Sequence, residues 1–311
     1  MTDNNVLPKK KKINWMRTIF IISFIIVPTV NFLIFYVYVN FSSFAMAFSV
    51  AKDGRLVASL DNFKRFFEEF SNPVSEIRIA FKNTFLTFLI SQIMFPLGVF
   101  VSYFIYKKIW MSGVFRYIFF MPGLIAATVL TSFWLKLIGN HGPIVEFIQT
   151  AMHLDYRPTL LTDQDYSNKM VLLYFIWLAF PGNLIMWGGA FSRLPVSVLE
   201  SAKLDGVGWF RELIQIIIPM IWPTFATLWM LACSGVFNAS GPVFLMTKGD
   251  YGTMTLQCWL YMQVYGQTGG VDTLGVYNYL SAIGLILTVL AMIVTIVVRK
   301  IANSVDAGVE Y

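Results

Sequence analysis

Leu194-Pro195-Val196-Ser197-Val198-Leu199-Glu200-Ser201-Ala202-Lys203-Leu204-Asp205-Gly206-Val207-Gly208-Trp209-Phe210-Arg211 leads into an apolar run containing Ile216, Ile218 and Pro219. Pro195 suits the first turn of a helix, where its missing N–H is no loss and its fixed φ is already helical. Val198, Leu199, Ala202 and Leu204 make a short apolar stripe among polar residues, as on a helix resting against an apolar support. Gly206 and Gly208 stop that helix and turn the chain. The segment from about 195 to 211 therefore reads as a short helix lying across the end of a larger body, with its other side free for a partner.

Outward from this stretch the chain becomes strongly apolar. Of its 311 residues, 57% are hydrophobic and only 13% charged. That is more apolar material than one soluble core of this size can hide, and about half the usual charged fraction. Six apolar segments emerge, at about 17 to 39, 83 to 106, 116 to 138, 170 to 191, 213 to 236 and 277 to 298. Each is about 22 residues long, enough to cross a hydrocarbon layer of about 30 Å with some tilt. The expected fold class is all-α, a polytopic membrane protein with six transmembrane helices. Residues 1 to 16 form a basic terminus, 17 to 39 the first helix, 40 to 82 a connector, 83 to 300 the core with the other five helices, and 301 to 311 a tail. Pro28, Pro96, Pro122, Pro181 and Pro223 fall inside these segments; membrane helices tolerate them where neighbours satisfy the freed carbonyls.

If six spans alternate, Lys9 to Lys12 with Arg17, then Lys107, Lys108, Arg116, Arg193, Lys203, Arg211, Arg299 and Lys300, fall on one side. The excess of Lys and Arg places that side, and both termini, in the cytoplasm. The first apolar core exceeds the 7 to 15 residues of a secretory signal, so it is expected to be retained although Ala45-Met46-Ala47 resembles a cleavage site. Three connectors, about 40 to 82, 139 to 169 and 237 to 276, then face outward. The first contains an amphipathic stretch, Ser59 to Phe67, with Asp61 as its expected N-cap. The last is rich in Gly, Thr and Tyr, which favours turns over a long helix.

Several chemistries are excluded by residue inventory. Cys233 and Cys258 offer no disulfide framework or multi-cysteine metal site, and His141 and His153 lack the short spacing of a zinc pair. No cofactor is expected. The net charge of +6 is distributed as membrane topology requires, so no nucleic-acid partner is inferred. The six apolar segments hold no Asp or Glu, against the intramembrane carboxylates usual in ion-coupled secondary transporters, and Lys136 near the outer end of the third can snorkel. No cluster of Asp, Glu, His or Cys suggests a membrane enzyme.

Glu200, Ser201 and Ala202, then three residues, Gly206, nine residues, Ile216, one residue, and Ile218-Pro219 resemble the EAA loop of binding-protein-dependent ABC permeases. The family pattern is E-A-A, three residues, G, nine residues, I, one residue, L-P; Ser201 and Ile218 are its two departures here. Arg116 to Pro122, Asp205-Gly206, Phe237-Asn238 and Leu245-Met246-Thr247-Lys248-Gly249 are similar to stretches of the carbohydrate-uptake branch. The likeness covers roughly residues 60 to 300 and is nearest to maltose-transporter F and glycerol-phosphate A-type subunits.

That resemblance implies the type I importer permease fold of a bacterial plasma membrane and a non-catalytic transport subunit moving a carbohydrate, with an oligosaccharide favoured and a monosaccharide or a non-sugar cargo such as glycerol phosphate left open. It implies a second homologous permease, two cytosolic ATPase subunits and an extracytoplasmic solute-binding protein as partners. Glu200, Ser201, Ala202, Leu204, Asp205, Gly206 and Pro219 would then form the ATPase coupling element, with Glu200 facing a basic residue, Ala202 allowing close approach and Gly206 making the turn. The chain carries no G-x-x-x-x-G-K-S/T sequence, so hydrolysis is assigned to a separate polypeptide. Sugar recognition needs hydroxyl-bonding groups and flat aromatic faces, and Gly123, Trp177, Gly182, Asn183, Trp187, Ser234 and Asn238 mark a candidate path in spans three to five. The same residue types also serve as interhelical hydrogen bonds and interfacial anchors, and both readings stand at this point. Gly123, Ala179 and Gly182 also depart from the maltose-type pattern, so a maltose site does not carry over residue by residue.

Overall fold

A computed structural model describes residues 15–52, 55–179, 183–238, 242–266 and 273–306. Lys9 to Lys12, Pro181, Gly182, Gln267 to Gly270 and the tail beyond 306 lie outside the described residues.

Fourteen helices are described in chain order: α1 Trp15–Ala47, α2 Asp61–Ser71, α3 Glu76–Tyr106, α4 Ser112–Leu124, α5 Ala127–Ile138, α6 Pro143–Ala151, α7 Ser167–Ala179, α8 Leu184–Phe191, α9 Val196–Leu204, α10 Trp209–Met220, α11 Trp222–Ser234, α12 Val243–Met246, α13 Leu256–Tyr265 and α14 Thr273–Asp306. Four stretches cross a bilayer on length and composition alone: Trp15–Ala47, Glu76–Tyr106, Ser167–Phe191 and Gly275–Val305. Six do so if each of two bent pairs counts as one span. The chain is thus a multi-pass membrane protein, all-α among the described residues but for one small hairpin.

Both bends fall where the sequence reading expected a continuous helix. The third segment breaks after Leu124, where Ile125 and Ala126 are extended, and the axis turns by 107°. Pro122 donates no hydrogen bond to the carbonyl four residues back, which weakens the ladder just before the break. In the fifth segment α10 and α11 meet at 79° around Ile221. Pro223, four residues after Pro219, has no N–H to offer that carbonyl, which accepts from the Ile221 N–H at the corner instead.

The helices overrun the expected spans. α1 continues through a π-helical stretch, Phe32–Tyr38, to Ala47. At 31 residues α3 is about 46 Å long, more than the hydrocarbon layer, so its ends stand clear of it. Beyond α1, Ser49–Lys52 (β1) pairs antiparallel with Arg55–Ala58 (β2), Ser49 opposite Ala58 and Lys52 opposite Arg55. The intervening Asp53-Gly54 is a hairpin signal in the sequence. Asp61 lies in the first turn of α2 rather than at its N-cap; its N–H donates to Ser59 Oγ at 3.1 Å. The last connector does carry the expected turns between Thr247 and Thr255, but also the ten-residue α13.

One end of the molecule is knitted by polar contacts. Asn83 Nδ2 donates to the carbonyls of Gly252 (2.7 Å) and Met254 (2.8 Å), Asn168 Nδ2 donates to Asn83 Oδ1 (3.1 Å), and the Leu256 N–H donates to Thr84 Oγ1 (2.9 Å). Beneath them Phe66, Ile77, Ala80, Trp259, Tyr279 and Ile283 form an apolar cluster. At the opposite end of α3, Phe95, Val99 and Tyr103 pack with Trp187, Phe191, Leu194, Leu213 and Ile217. α9 rests on this second cluster.

Candidate functional site

α9 begins after extended Pro195 and ends in a Schellman turn. The Gly206 N–H donates to the Lys203 carbonyl (3.2 Å) and the Val207 N–H to the Ala202 carbonyl (3.0 Å), with Gly206 left-handed at φ +69°. Those bonds satisfy carbonyls that a helix end otherwise leaves bare. The stop expected at Gly206 is thus a specific backbone conformation that glycine adopts without strain.

The inward face of α9 is made by Ala202, 5% exposed, and by half-buried Leu199, which packs on the cluster of Leu194, Leu213 and Ile217. Leu204, assigned to the same stripe by the sequence, projects away and is 88% exposed. It follows Ala202 by two residues, about 200° around the helix, so the two face opposite ways. Glu200, Ser201, Lys203 and Asp205 share the open side. The small side chain of Ala202 is taken up by packing on its own bundle. Pro219 lies in the bent helix beyond, half-buried.

One residue beneath α9 escaped the sequence reading. Glu212 lies just before the fifth apolar segment; its side chain is only 7% exposed and forms an ion pair with Lys107 Nζ, at the end of α3, at 2.5 Å. The ammonium stands 5.8 Å from the Tyr103 ring centroid. The signal was an acid within one residue of a membrane segment, which read as part of a loop.

The candidate path residues are less concerted. Trp187 is fully buried, edge-on to Phe95 at 5.3 Å and tilted to Phe225 at 5.8 Å, so it belongs to the core that joins α3, α8 and α11. Trp177 stacks on Trp134 at 5.8 Å and is half-buried. Asn183 is the half-buried N-cap residue of α8, with no side-chain capping bond. Ser234 and Asn238 are exposed, the Ser234 hydroxyl donating to the Leu231 carbonyl. Gly123 is exposed in α4, and Gly182 lies outside the described residues.

Polar groups of the second apolar segment, not singled out from the sequence, line or adjoin a cleft of about 200 Å³ against α7. Thr87 and Ser91 face Phe175, Leu178 and Ala179 there. Gln92 Oε1 accepts from Trp229 Nε1 (2.9 Å) and Cys233 Sγ (3.3 Å). Their spacing, Thr84, Thr87 and Ser91 on one helical face, was the available signal. A larger cleft, about 500 Å³, lies nearer the α9 end, lined by Ser102, Tyr106, Arg116, Leu184, Gly188 and Ser192 among others. None of the proposed path residues lines either cleft. Among the described residues, no group of His, Cys, Asp or Glu forms a metal site.

No protein-family model matches this chain. Among curated proteins it is 22% identical to a probable ABC transporter permease protein, YesP, of Bacillus subtilis strain 168, over 78% of this chain and 77% of that one. It is 24% identical to the lactose transport system permease protein LacF of Rhizobium radiobacter, over 66% and 74%. It is 21% identical to the arabinooligosaccharides transport system permease protein AraP of Bacillus subtilis strain 168, over 88% and 85%. In three dimensions it superposes on a chain of a bacterial ABC transporter involved in the import of the acidic polysaccharide alginate with a TM-score of 0.75, at 19% identity, over 93% of this chain and 97% of that one. A second structure of a bacterial alginate ABC transporter, in complex with an alginate pentasaccharide-bound periplasmic protein, gives 0.76 at 17% identity. The fold is that of a type I ABC importer permease.

Proposed function

We propose that this chain is the membrane-spanning permease subunit of an ATP-driven importer. It receives a carbohydrate from an extracytoplasmic solute-binding protein and releases it into the cytoplasm by alternating access. The observation that carries this reading is α9. It is a nine-residue helix held on the end of the bundle by Leu199 and Ala202, closed by Gly206, and presenting Glu200 and Leu204 to whatever lies beneath. A helix anchored on one face and open on the other passes a partner's movement into the bundle, which is the contact a two-state machine requires.

The partner beneath is a cytosolic ATPase, since the chain has no phosphate-cradling loop of its own. Glu200 pairs with a cation there, while Leu204, Ser201 and Asp205 make the surrounding contact. A second, homologous permease and a second ATPase complete the assembly. Relatives named for lactose and arabinooligosaccharide transport, and structural neighbours named for alginate import, favour a carbohydrate cargo larger than one sugar ring. The stretches Arg116 to Pro122 and Leu245 to Gly249 favour the maltose F and glycerol-phosphate A-type branch. The cleft lined by Thr87 and Ser91 is the candidate path, with Asn183, Ser234 and Asn238 as candidate contacts outside its lining; Trp187 holds the helices together.

Glu200→Arg tests the reading. The variant should insert in the membrane and keep its thermal stability, because position 200 is exposed, yet lose the co-purifying ATPase, because repulsion replaces attraction at a docking surface. ATPase recovery equal to wild type contradicts the assignment. A thermal-shift ligand screen on the cognate solute-binding protein identifies the cargo.

A further inference from the structure

We propose that Lys107 and Glu212 are positioning residues that lock the coupling loop to α3, so that the loop and α3 move as one body during the transport cycle. The inference rests on the reading of α9 as the coupling helix. Glu212 begins the π-helical stretch Glu212–Ile217, and its N–H donates to the Gly208 carbonyl at 3.0 Å, directly after the turn that closes α9. Leu213 and Ile217 pack among Val99 and Tyr103 of α3, and Trp209 lies against Phe100 (5.9 Å) and Phe104 (5.5 Å). An apolar residue at 212 would suit these surroundings, and a carboxylate out of water is costly unless paired. Apolar contacts tolerate sliding, whereas an ion pair between one lysine and one buried carboxylate fixes register, a use for which such pairs are attested.

α3 then carries the constraint across the membrane. Lys107 caps its inner end, and Asn83, near its outer end, holds the carbonyls of Gly252 and Met254 in the outward connector. Movement of α9 is thereby delivered to the outer mouth through one continuous helix pinned at both ends.

The test is a distance measurement on the assembled importer, with spin labels at Ser197→Cys on α9 and Asp250→Cys in the outward connector. Both positions are exposed, and the native cysteines are buried. With Lys107 and Glu212 intact, one distance population is expected both without nucleotide and with ATP and vanadate. In the double variant Lys107→Met/Glu212→Gln, which removes both charges and leaves no buried ion alone, the ATPase should still co-purify while a second population appears with ATP and vanadate. The charge-swapped pair Lys107→Glu/Glu212→Lys should return the single population, and it carries the test against Glu212→Gln alone if the double variant does not insert. A single population in the uncharged variant in both states overturns the lock, as does a swap that fails to restore it or a nucleotide-dependent distance with the native pair. Loss of the ATPase from the uncharged variant also overturns it, because the pair would then serve docking. If the wild-type chain binds no ATPase at all, the functional reading itself fails.

Discussion

Gly206, Ala202 and Leu204 lie within five residues of one another, yet substitutions there should act on different quantities. At φ +69° a β-carbon at Gly206 costs about 1 kcal/mol through local backbone strain, although no neighbouring atom blocks it. Gly206→Ala should therefore lower the thermal unfolding midpoint of the solubilised chain, and Gly206→Asn should recover part of the loss, since Asn visits that conformation more readily. An Asn variant no better than Ala would show that the turn is held by something other than its dihedral. Ala202→Leu forces three heavy atoms into a packed face, at about 1–3 kcal/mol, and should destabilise without touching the open side. Leu204→Ala should do the reverse. Its stability should stay within about 0.5 kcal/mol of wild type, while ATPase recovery on pull-down falls several-fold; equal recovery would remove Leu204 from the docking surface.

Helix α2 shows how a connector becomes part of the fold. Phe66 is buried under it, Tyr279 OH donates to Glu69 Oε2 at 2.6 Å, Arg65 Nε donates to Glu69 Oε1 at 2.9 Å, and the Arg65 guanidinium lies 4.1 Å from the Tyr279 ring centroid. A hydrogen bond to a charged acceptor contributes about 1.5–3 kcal/mol, so Tyr279→Phe should loosen α2 locally. Faster amide exchange in residues 61 to 71, with α3 unchanged, is the expected outcome; unaltered exchange would mean that the packing of Phe66 and the bonds from Asn62 to the Ala47 and Ser49 carbonyls hold the helix without it. This helix was legible in the sequence because its amphipathic pattern is local, and the apolar spans were legible because lipid demands long uninterrupted stretches. The corners at 125–126 and 221 were not. Pro122 and Pro223 were visible, but whether a membrane helix absorbs a proline or turns there is decided by the neighbours that satisfy its carbonyls, which are distant in sequence. The same reason explains the uneven view of the site. Gly206 declares its role through backbone conformation, whereas Trp187 could serve as a sugar platform or a core residue until Phe95 and Phe225 were placed around it.

At the scale of the whole molecule, the contacts divide the connectors into two sets before any membrane is considered. Lys107 meets Glu212 at one end of α3, so the loop after the second apolar segment and the loop after the fourth share a side. At the other end Asn83 donates to the carbonyls of Gly252 and Met254 and accepts from Asn168, which gathers the remaining connectors there. This division is the one that alternation of six spans implies, and the contacts reach it by unrelated physics, the pairing of side chains; the Lys and Arg distribution adds only a direction. Its absolute direction is a further prediction. A single cysteine at Ser197 should react with a membrane-impermeant maleimide only in inverted vesicles, and one at Lys248 only in right-side-out cells; both sites are exposed, and buried Cys233 and Cys258 should give little background. Labelling of both from the same side would break the six-span topology. Reversal of the pattern would leave the fold intact but put α9 outside the cell, where no ATPase can reach it.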